Sequence, residues 1–104
     1  MTKTIRSQVV LALAFAMAGA VCFAQSGEAT YKARCQSCHG SAGVPNPGIA
    51  KLLGVKSVTD PAVKKLTVEE MMAVVKNGKN KMKPIKGLSD AEIKSAVLYY
   101  RGLK

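Results

Sequence analysis

Residues 35–40 read Cys35-Gln36-Ser37-Cys38-His39-Gly40 and contain two of the three cysteines and the only histidine of the 104-residue chain. A C-x-x-C-H pattern is typical of covalent c-type haem attachment. Two thiols three positions apart lie on one side of a helical turn, so both can bond to the vinyl groups of one porphyrin. The histidine that follows is then placed to bind the iron. We therefore expect one haem c, attached through Cys35 and Cys38 and ligated by His39.

Other interpretations of this C-x-x-C pair are weaker. A thioredoxin-like redox pair would need a βαβ setting, and the sequence does not alternate between predicted strands and helices. A structural zinc site needs four ligands, and no second pair follows. A disulfide would leave the neighbouring histidine without a function. Haem attachment accounts for all three residues together.

The first 24 residues have the composition of a signal peptide. Lys3 and Arg6 form a basic segment, and an unbroken apolar run covers residues 9–18. The whole apolar stretch, residues 9–24, is shorter than the roughly 20 residues that span a bilayer. We therefore expect export to the periplasm, with no stable membrane insertion after cleavage.

Small residues place the predicted cleavage after Ala24, which leaves residues 25–104 as one mature monohaem domain. Cleavage after Ala20 is the alternative, and it would leave Cys22 as a free thiol. An uncleaved anchor or a lipidated Cys22 is a further alternative for the N-terminus.

The chain is strongly basic, with 16 Lys and Arg against 6 Asp and Glu and a net charge of +10 at pH 7. Loss of residues 1–24 would remove two of these cations. The export signal and the lack of a binding motif argue against nucleic acid as the partner. A mature chain this short, with no Trp, builds only a thin core, and a tethered haem would add apolar mass to it.

The pattern of apolar and capping residues predicts an all-α domain of about four short helices around the haem. The first, residues 27–38, carries the thiols, and Asp60-Pro61 can begin a short second helix. Two further helices begin at capping boxes with hydrophobic staples. The Gly- and Pro-rich stretch 40–54 is expected to be a loop with little regular structure. The two capping boxes are Thr67 with Glu70 and Ser89 with Glu92.

An iron held by one histidine needs a sixth ligand or an open site, and the chain has no second histidine. Met71 and Met72 lie in a capped helix, where core packing is the better explanation. Met82 lies in a polar, basic loop between two helices and has no evident role in the core. We predict that His39 and Met82 are the two iron ligands.

With these residues in view, the chain resembles the small soluble class I cytochromes c of bacteria over nearly all of residues 25–104. Gly27 and Tyr31 match the family's Gly-x-x-x-Tyr helix, which crosses the C-terminal helix. The stretch 82–93 is similar to the family's axial-Met loop leading into its last helix. Tyr99 falls where that helix usually carries an aromatic residue.

The resemblance also implies a proline whose carbonyl accepts the Nδ1–H of the haem histidine and raises its basicity. Pro47 is the residue that it assigns to this role, with Pro45 as the competing choice. The family often has proline directly after the methionine, whereas Lys83 separates Met82 from Pro84 here.

Ligation by histidine and methionine would close both axial positions, which suits one-electron transfer. The sequence therefore predicts a periplasmic electron carrier that is not an enzyme. A fixed cytochrome subunit of a dehydrogenase or oxidase is an alternative. So is a haem-based gas-binding or sensor protein, which would need Met82 to be absent from the iron or easily displaced.

The lysines around Met82 have two interpretations. In the first, they are simply solvent-exposed side chains of a loop. In the second, they also steer the protein, as a monomer, towards acidic docking surfaces on a reductase or oxidase. The reduction potential and the identity of the partners do not follow from the sequence. The four lysines are Lys79, Lys81, Lys83 and Lys86.

Overall fold

The structure is a computed structural model, and it describes residues 27–104. The predicted signal peptide, both candidate cleavage sites and Cys22 lie outside these residues. The described part is helical apart from its connections, and it contains no strand. The all-α prediction is therefore confirmed. The helices are α1 (residues 27–34), α2 (Gln36–His39), α3 (Pro47–Leu53), α4 (Pro61–Lys64), α5 (Val68–Asn77) and α6 (Asp90–Arg101).

Both predicted capping boxes are present, and they begin α5 and α6, the two longest helices of the described chain. At α5, the Thr67 hydroxyl accepts from the Glu70 N–H (3.1 Å), and the Glu70 carboxylate accepts from the Thr67 N–H (3.2 Å). Ser89 and Glu92 form the same reciprocal pair at α6. Asp60 caps α4 by accepting from the Ala62 N–H (2.8 Å). Each box satisfies backbone donors that a helix leaves unpaired at its first turn.

The expectation of an irregular loop over residues 40–54 is wrong, because it contains helix α3. Asn46 caps α3 by accepting from the Ile49 N–H (2.9 Å), and Pro47 occupies its first position. The Gly54 N–H closes the last turn on the Ala50 carbonyl (2.9 Å). An Asn-Pro pair can begin a helix just as Asp60-Pro61 does. The high Gly and Pro content concealed this signal.

The main hydrophobic cluster lies between α5 and α6. Met71, Ile93 and Val97 are its buried members, and the staple residues Leu66 and Leu88 pack against it. This placement confirms that Met71 is a core residue. Met72 also packs against the cluster while remaining half-buried.

Helix α1 crosses α6 at a close approach of the two backbones. A Cβ atom on Gly27 would lie 2.6 Å from the Ser95 carbonyl oxygen, so only glycine fits there. One turn later, Tyr31 is 1% exposed and packs against the rings of Tyr99 and Tyr100. The predicted crossing of the first and last helices is therefore present. No helix within residues 27–104 has the length and apolar character needed to cross a bilayer.

Candidate haem-binding site

The C-x-x-C-H motif forms a single helical turn that continues from α1. The Cys35 N–H donates to the Tyr31 carbonyl (2.9 Å), so the thiol-bearing turn is built directly on the helix that crosses α6. The chain kinks at Cys35 (φ −122°, ψ −37°), and the His39 N–H then donates to the Cys35 carbonyl (3.0 Å). Cys35 and Cys38 form no disulfide in the described chain, and both are half-buried.

Gly40 ends this turn in a conformation that other residues rarely adopt. Its φ is +85°, and a Cβ atom there would lie 2.0 Å from the Val44 carbonyl oxygen. The Gly40 carbonyl in turn accepts a hydrogen bond of 2.6 Å from the Tyr31 hydroxyl. Gly40 is thus held in place by its own backbone conformation and by the hydrogen bond from the buried Tyr31 side chain.

The His39 imidazole has the properties of an iron ligand. Burial lowers its pKa, which keeps the ring neutral near neutral pH with a nitrogen lone pair free for a metal. Its Nδ1 atom is buried and has no hydrogen-bond partner among residues 27–104. In the arrangement that the resemblance implies, Nδ1–H donates to a carbonyl and the other ring nitrogen, Nε2, binds the iron. A neutral ring keeps Nε2 available as a ligand on the same turn as the two cysteines. The residues of the motif therefore fit a haem c.

Neither candidate proline forms the predicted hydrogen bond with His39 in the described chain. Pro47 is exposed at the start of α3, whereas Pro45 is buried. Neither carbonyl accepts from the Nδ1 atom of His39, since that atom has no partner in this part of the chain. The assignment of Pro47, with Pro45 as its competitor, stays a prediction.

Tyr100, near the end of α6, is an aromatic neighbour of His39. The two ring centroids are 5.3 Å apart in an edge-to-face arrangement. Tyr100 also stacks on Tyr31 at 5.9 Å with an interplanar angle of 21°. Tyr99, the aromatic that the resemblance singled out, lies on Tyr31 at 5.3 Å instead. A contact between residues 61 positions apart leaves no local pattern, so the sequence could not predict the His39–Tyr100 pair.

Met82 is half-buried in a tight turn after α5. Its N–H donates to the Lys79 carbonyl (2.9 Å), and its carbonyl accepts from the Lys79 N–H (3.0 Å). Asn80 takes a left-handed φ of +54° within this turn, a conformation that Asn tolerates better than most residues. Met82 thus differs from Met71, which is buried in the core between α5 and α6.

The charge of the chain is concentrated around both parts of the site. No Asp or Glu occurs between Glu28 and Asp60, a stretch that includes the C-x-x-C-H motif, or between Glu70 and Asp90, a stretch that includes Met82. The carboxylates that do occur include those of the two capping boxes and those in ion pairs with Lys32 and Lys76. All charged side chains in the two stretches that contain the site are therefore cationic.

Known proteins similar to this chain are described as cytochromes or as a subunit of a cytochrome oxidase. A family model described as cytochrome c oxidase, cbb3-type, subunit III matches residues 23–99. Cytochrome c6 from Leptolyngbya boryana is 43% identical over 77 residues, which cover 73% of this chain and 87% of that protein. The chain belongs to the small class I c-type cytochromes.

A solved structure extends the similarity of this cytochrome to three dimensions. The KustC0563 c-type cytochrome superposes with a TM-score of 0.67 at 30% identity, covering 75% of this chain and 96% of that one. The cytochrome c fold expected from the sequence is therefore confirmed. As a c-type cytochrome, the protein is a haem-containing electron carrier, and its haem c is held covalently.

Proposed function

We propose that this cytochrome is a periplasmic electron carrier with a single haem c, attached through Cys35 and Cys38 and ligated by His39 and Met82. The observation that supports it most is the His39 imidazole, which lies on one helical turn with Cys35 and Cys38 and whose pKa is lowered by burial. The chain has one C-x-x-C-H motif and one histidine, which supports a single haem.

The chain's own residues would attach, orient and shield the cofactor. The two half-buried thiols lie on one turn, where both are available for thioether bonds. His39 and Met82 would occupy both axial positions, which favours electron transfer over the binding of substrate or gas. Haem c supplies one-electron redox chemistry when bound. The protein would have no catalytic activity of its own under this proposal.

The proposal for the sixth ligand depends on how the three methionines of the described chain are used. Met71 is 8% exposed in the core, and Met72 packs against the same cluster. Met82 has no place in that cluster and lies in the connection between α5 and α6. A thioether is a suitable ligand for an iron that must accept and donate electrons at a raised potential.

The partners would be acidic surfaces of a reductase and an oxidase. Lys79, Lys83 and Lys86 are exposed on the segment around Met82. Charges of this kind accelerate encounter more than they strengthen the complex, which suits a monomer that must leave quickly.

A fixed subunit of an oxidase is a second candidate function. It is favoured by the matching family model, whose description names subunit III of a cbb3-type oxidase. A permanent subunit would copurify with one enzyme in a complex that salt does not dissociate, whereas a carrier would purify as a monomer.

The visible spectrum of the oxidised and reduced protein tests the haem and its ligands together. We expect the ferric protein to show the weak red charge-transfer band of sulfur ligation, and Met82→Ala to abolish it and permit carbon monoxide binding after reduction. Met72→Leu is the matched control and should keep the band, because it conserves volume in the core. A band that survives Met82→Ala, or is lost in Met72→Leu, would contradict the ligand assignment.

A further inference from the structure

Residues 78–89, which carry Met82, join α5 to α6 without a helix or strand of their own. The backbone pair between Met82 and Lys79 gives this segment its local shape. Two backbone hydrogen bonds tie it to α5, from the Gly78 N–H to the Val74 carbonyl (2.8 Å) and from the Ile85 N–H to the Val75 carbonyl (2.9 Å). These bonds leave the rest of the segment to be fixed by side chains.

Two side-chain hydrogen bonds connect the segment to distant parts of the chain. The Lys81 Nζ donates to the Leu52 carbonyl in α3 (2.9 Å), across 29 residues of sequence. The Arg34 Nη2 donates to the Lys86 carbonyl (2.9 Å), across 52 residues. One bond therefore lies on each side of Met82.

Each of the two cations is adjacent in sequence to one part of the proposed site, either Met82 or the C-x-x-C-H motif. Lys81 directly precedes Met82, and Arg34 directly precedes the first haem-attaching residue, Cys35. We propose that Lys81 and Arg34 are positioning residues that hold Met82 in place for the iron by fastening its segment to α3 and to α1. This inference rests on the proposed role of Met82 as the sixth ligand.

The position of the Leu52 carbonyl in α3 explains why a lysine is suited to position 81. Leu52 lies in the last turn of α3, where carbonyl groups lack partners within the helix. An ammonium group at a helix C-terminus satisfies such a carbonyl and interacts favourably with the helix dipole. Lys81 therefore differs from its exposed neighbours Lys79 and Lys83, whose side chains make no hydrogen bond or ion pair within residues 27–104.

The affinity of the ferric holoprotein for imidazole tests the inference, because imidazole must displace Met82 to bind. Lys81→Met and Arg34→Met each remove one donor and one charge, and each should raise the affinity roughly three- to tenfold, as expected for the loss of one exposed charge-assisted hydrogen bond. Lys81→Arg keeps a cationic donor and should retain the wild-type affinity.

Lys51→Met is the matched control. Lys51 is an exposed cation beside Leu52 in α3, and it forms no hydrogen bond or ion pair in the described part of the chain. Its replacement should change the imidazole affinity by less than about twofold, since removing an unpaired surface charge has a small effect. The inference would be overturned if Lys81→Met, Arg34→Met and Lys51→Met all changed the imidazole affinity equally. It would also be overturned if neither Lys81→Met nor Arg34→Met changed it.

Failure of the underlying ligand assignment gives a different result. If Met82 is not the sixth ligand, Met82→Ala itself leaves the charge-transfer band and the imidazole affinity unchanged. If Met82 is the ligand but is held in another way, Met82→Ala opens the site while Lys81→Met behaves like Lys51→Met.

Discussion

Tyr31 forms hydrogen bonds with both ends of the haem motif, through its carbonyl to Cys35 and through its hydroxyl to Gly40. Its side chain is 1% exposed, its hydroxyl donates to the Gly40 carbonyl at 2.6 Å, and its ring lies between Tyr99 and Tyr100. Burial raises the pKa of the phenol, so the hydroxyl stays protonated and remains a donor throughout the physiological range. One side chain of α1 thereby connects the end of the haem motif to the last helix.

Tyr31→Phe keeps the ring and removes the hydrogen bond to Gly40. We expect it to lower the free energy of unfolding by about 1 to 2 kcal/mol, because the Gly40 carbonyl is left without its side-chain donor. Denaturant unfolding of the holoprotein measures the change. Tyr99→Phe is the control, since the Tyr99 hydroxyl makes no hydrogen bond within residues 27–104. An equal loss in both variants would show that the hydroxyl of Tyr31 has no special role.

At the level of single residues, the sequence could predict what depends on spacing. Covalent attachment needs two thiols and a histidine on one turn, so Cys35, Cys38 and His39 were evident from five consecutive positions. The hydrogen bonds of Lys81 and Arg34 were not, because their acceptors are backbone carbonyls 29 and 52 residues away. A backbone carbonyl is present at every residue and leaves no signal in the sequence.

At the level of helices, the ends were predictable wherever capping chemistry was visible. Thr67 with Glu70 and Ser89 with Glu92 marked the starts of α5 and α6, and both boxes are formed. Asn46 with Pro47 is the same kind of signal, but its setting among glycines and prolines favoured a loop. The composition of residues 40–54 therefore outweighed a local cap that in fact begins α3.

The cap of α6 makes part of the stability depend on pH. The Ser89 N–H donates to the Glu92 carboxylate (3.1 Å), and this bond is the main cause that lowers the pKa of Glu92 below its usual 4.5. A lowered pKa means that the carboxylate stabilises the fold above pH 4.5 and loses this effect as the pH falls through the folded-state pKa.

We therefore expect Glu92→Gln to be less stable than the wild type at pH 7, with the difference shrinking as the pH falls below about 4.5. Unfolding free energies measured between pH 7 and pH 3 test this. Glu69→Gln is the control, because Glu69 lies in the first turn of α5 without a side-chain hydrogen bond in the described chain. A difference that stays constant with pH would contradict the role of the Glu92 carboxylate.

At the level of the whole molecule, the acidic residues are unevenly distributed along the chain. The stretches that hold the haem motif and Met82 contain no acid, while each helix start from α4 to α6 has one at or near its cap. An acidic partner would therefore be attracted towards the proposed site rather than to the surface in general.

Replacing Lys79, Lys83 and Lys86 with Gln should slow electron exchange with an acidic partner by roughly tenfold at low ionic strength. The rate should also lose much of its salt dependence, while the absorption spectrum stays unchanged. Stopped-flow measurements over a range of salt concentrations test this. The control removes the same charge elsewhere, through Lys65, Lys94 and Lys104 to Gln. Equal effects of the two triple variants would show that only net charge matters.

The crossing of α1 and α6 has a consequence for the order in which the protein is made. Tyr99 and Tyr100 both pack against Tyr31, and Tyr100 also contacts the His39 ring. Both are synthesised about 60 residues after the cysteines. A growing chain thus presents both thiols before the helix that packs against α1 exists. We therefore expect the thiols to be most accessible to attachment before the last helix has packed against α1.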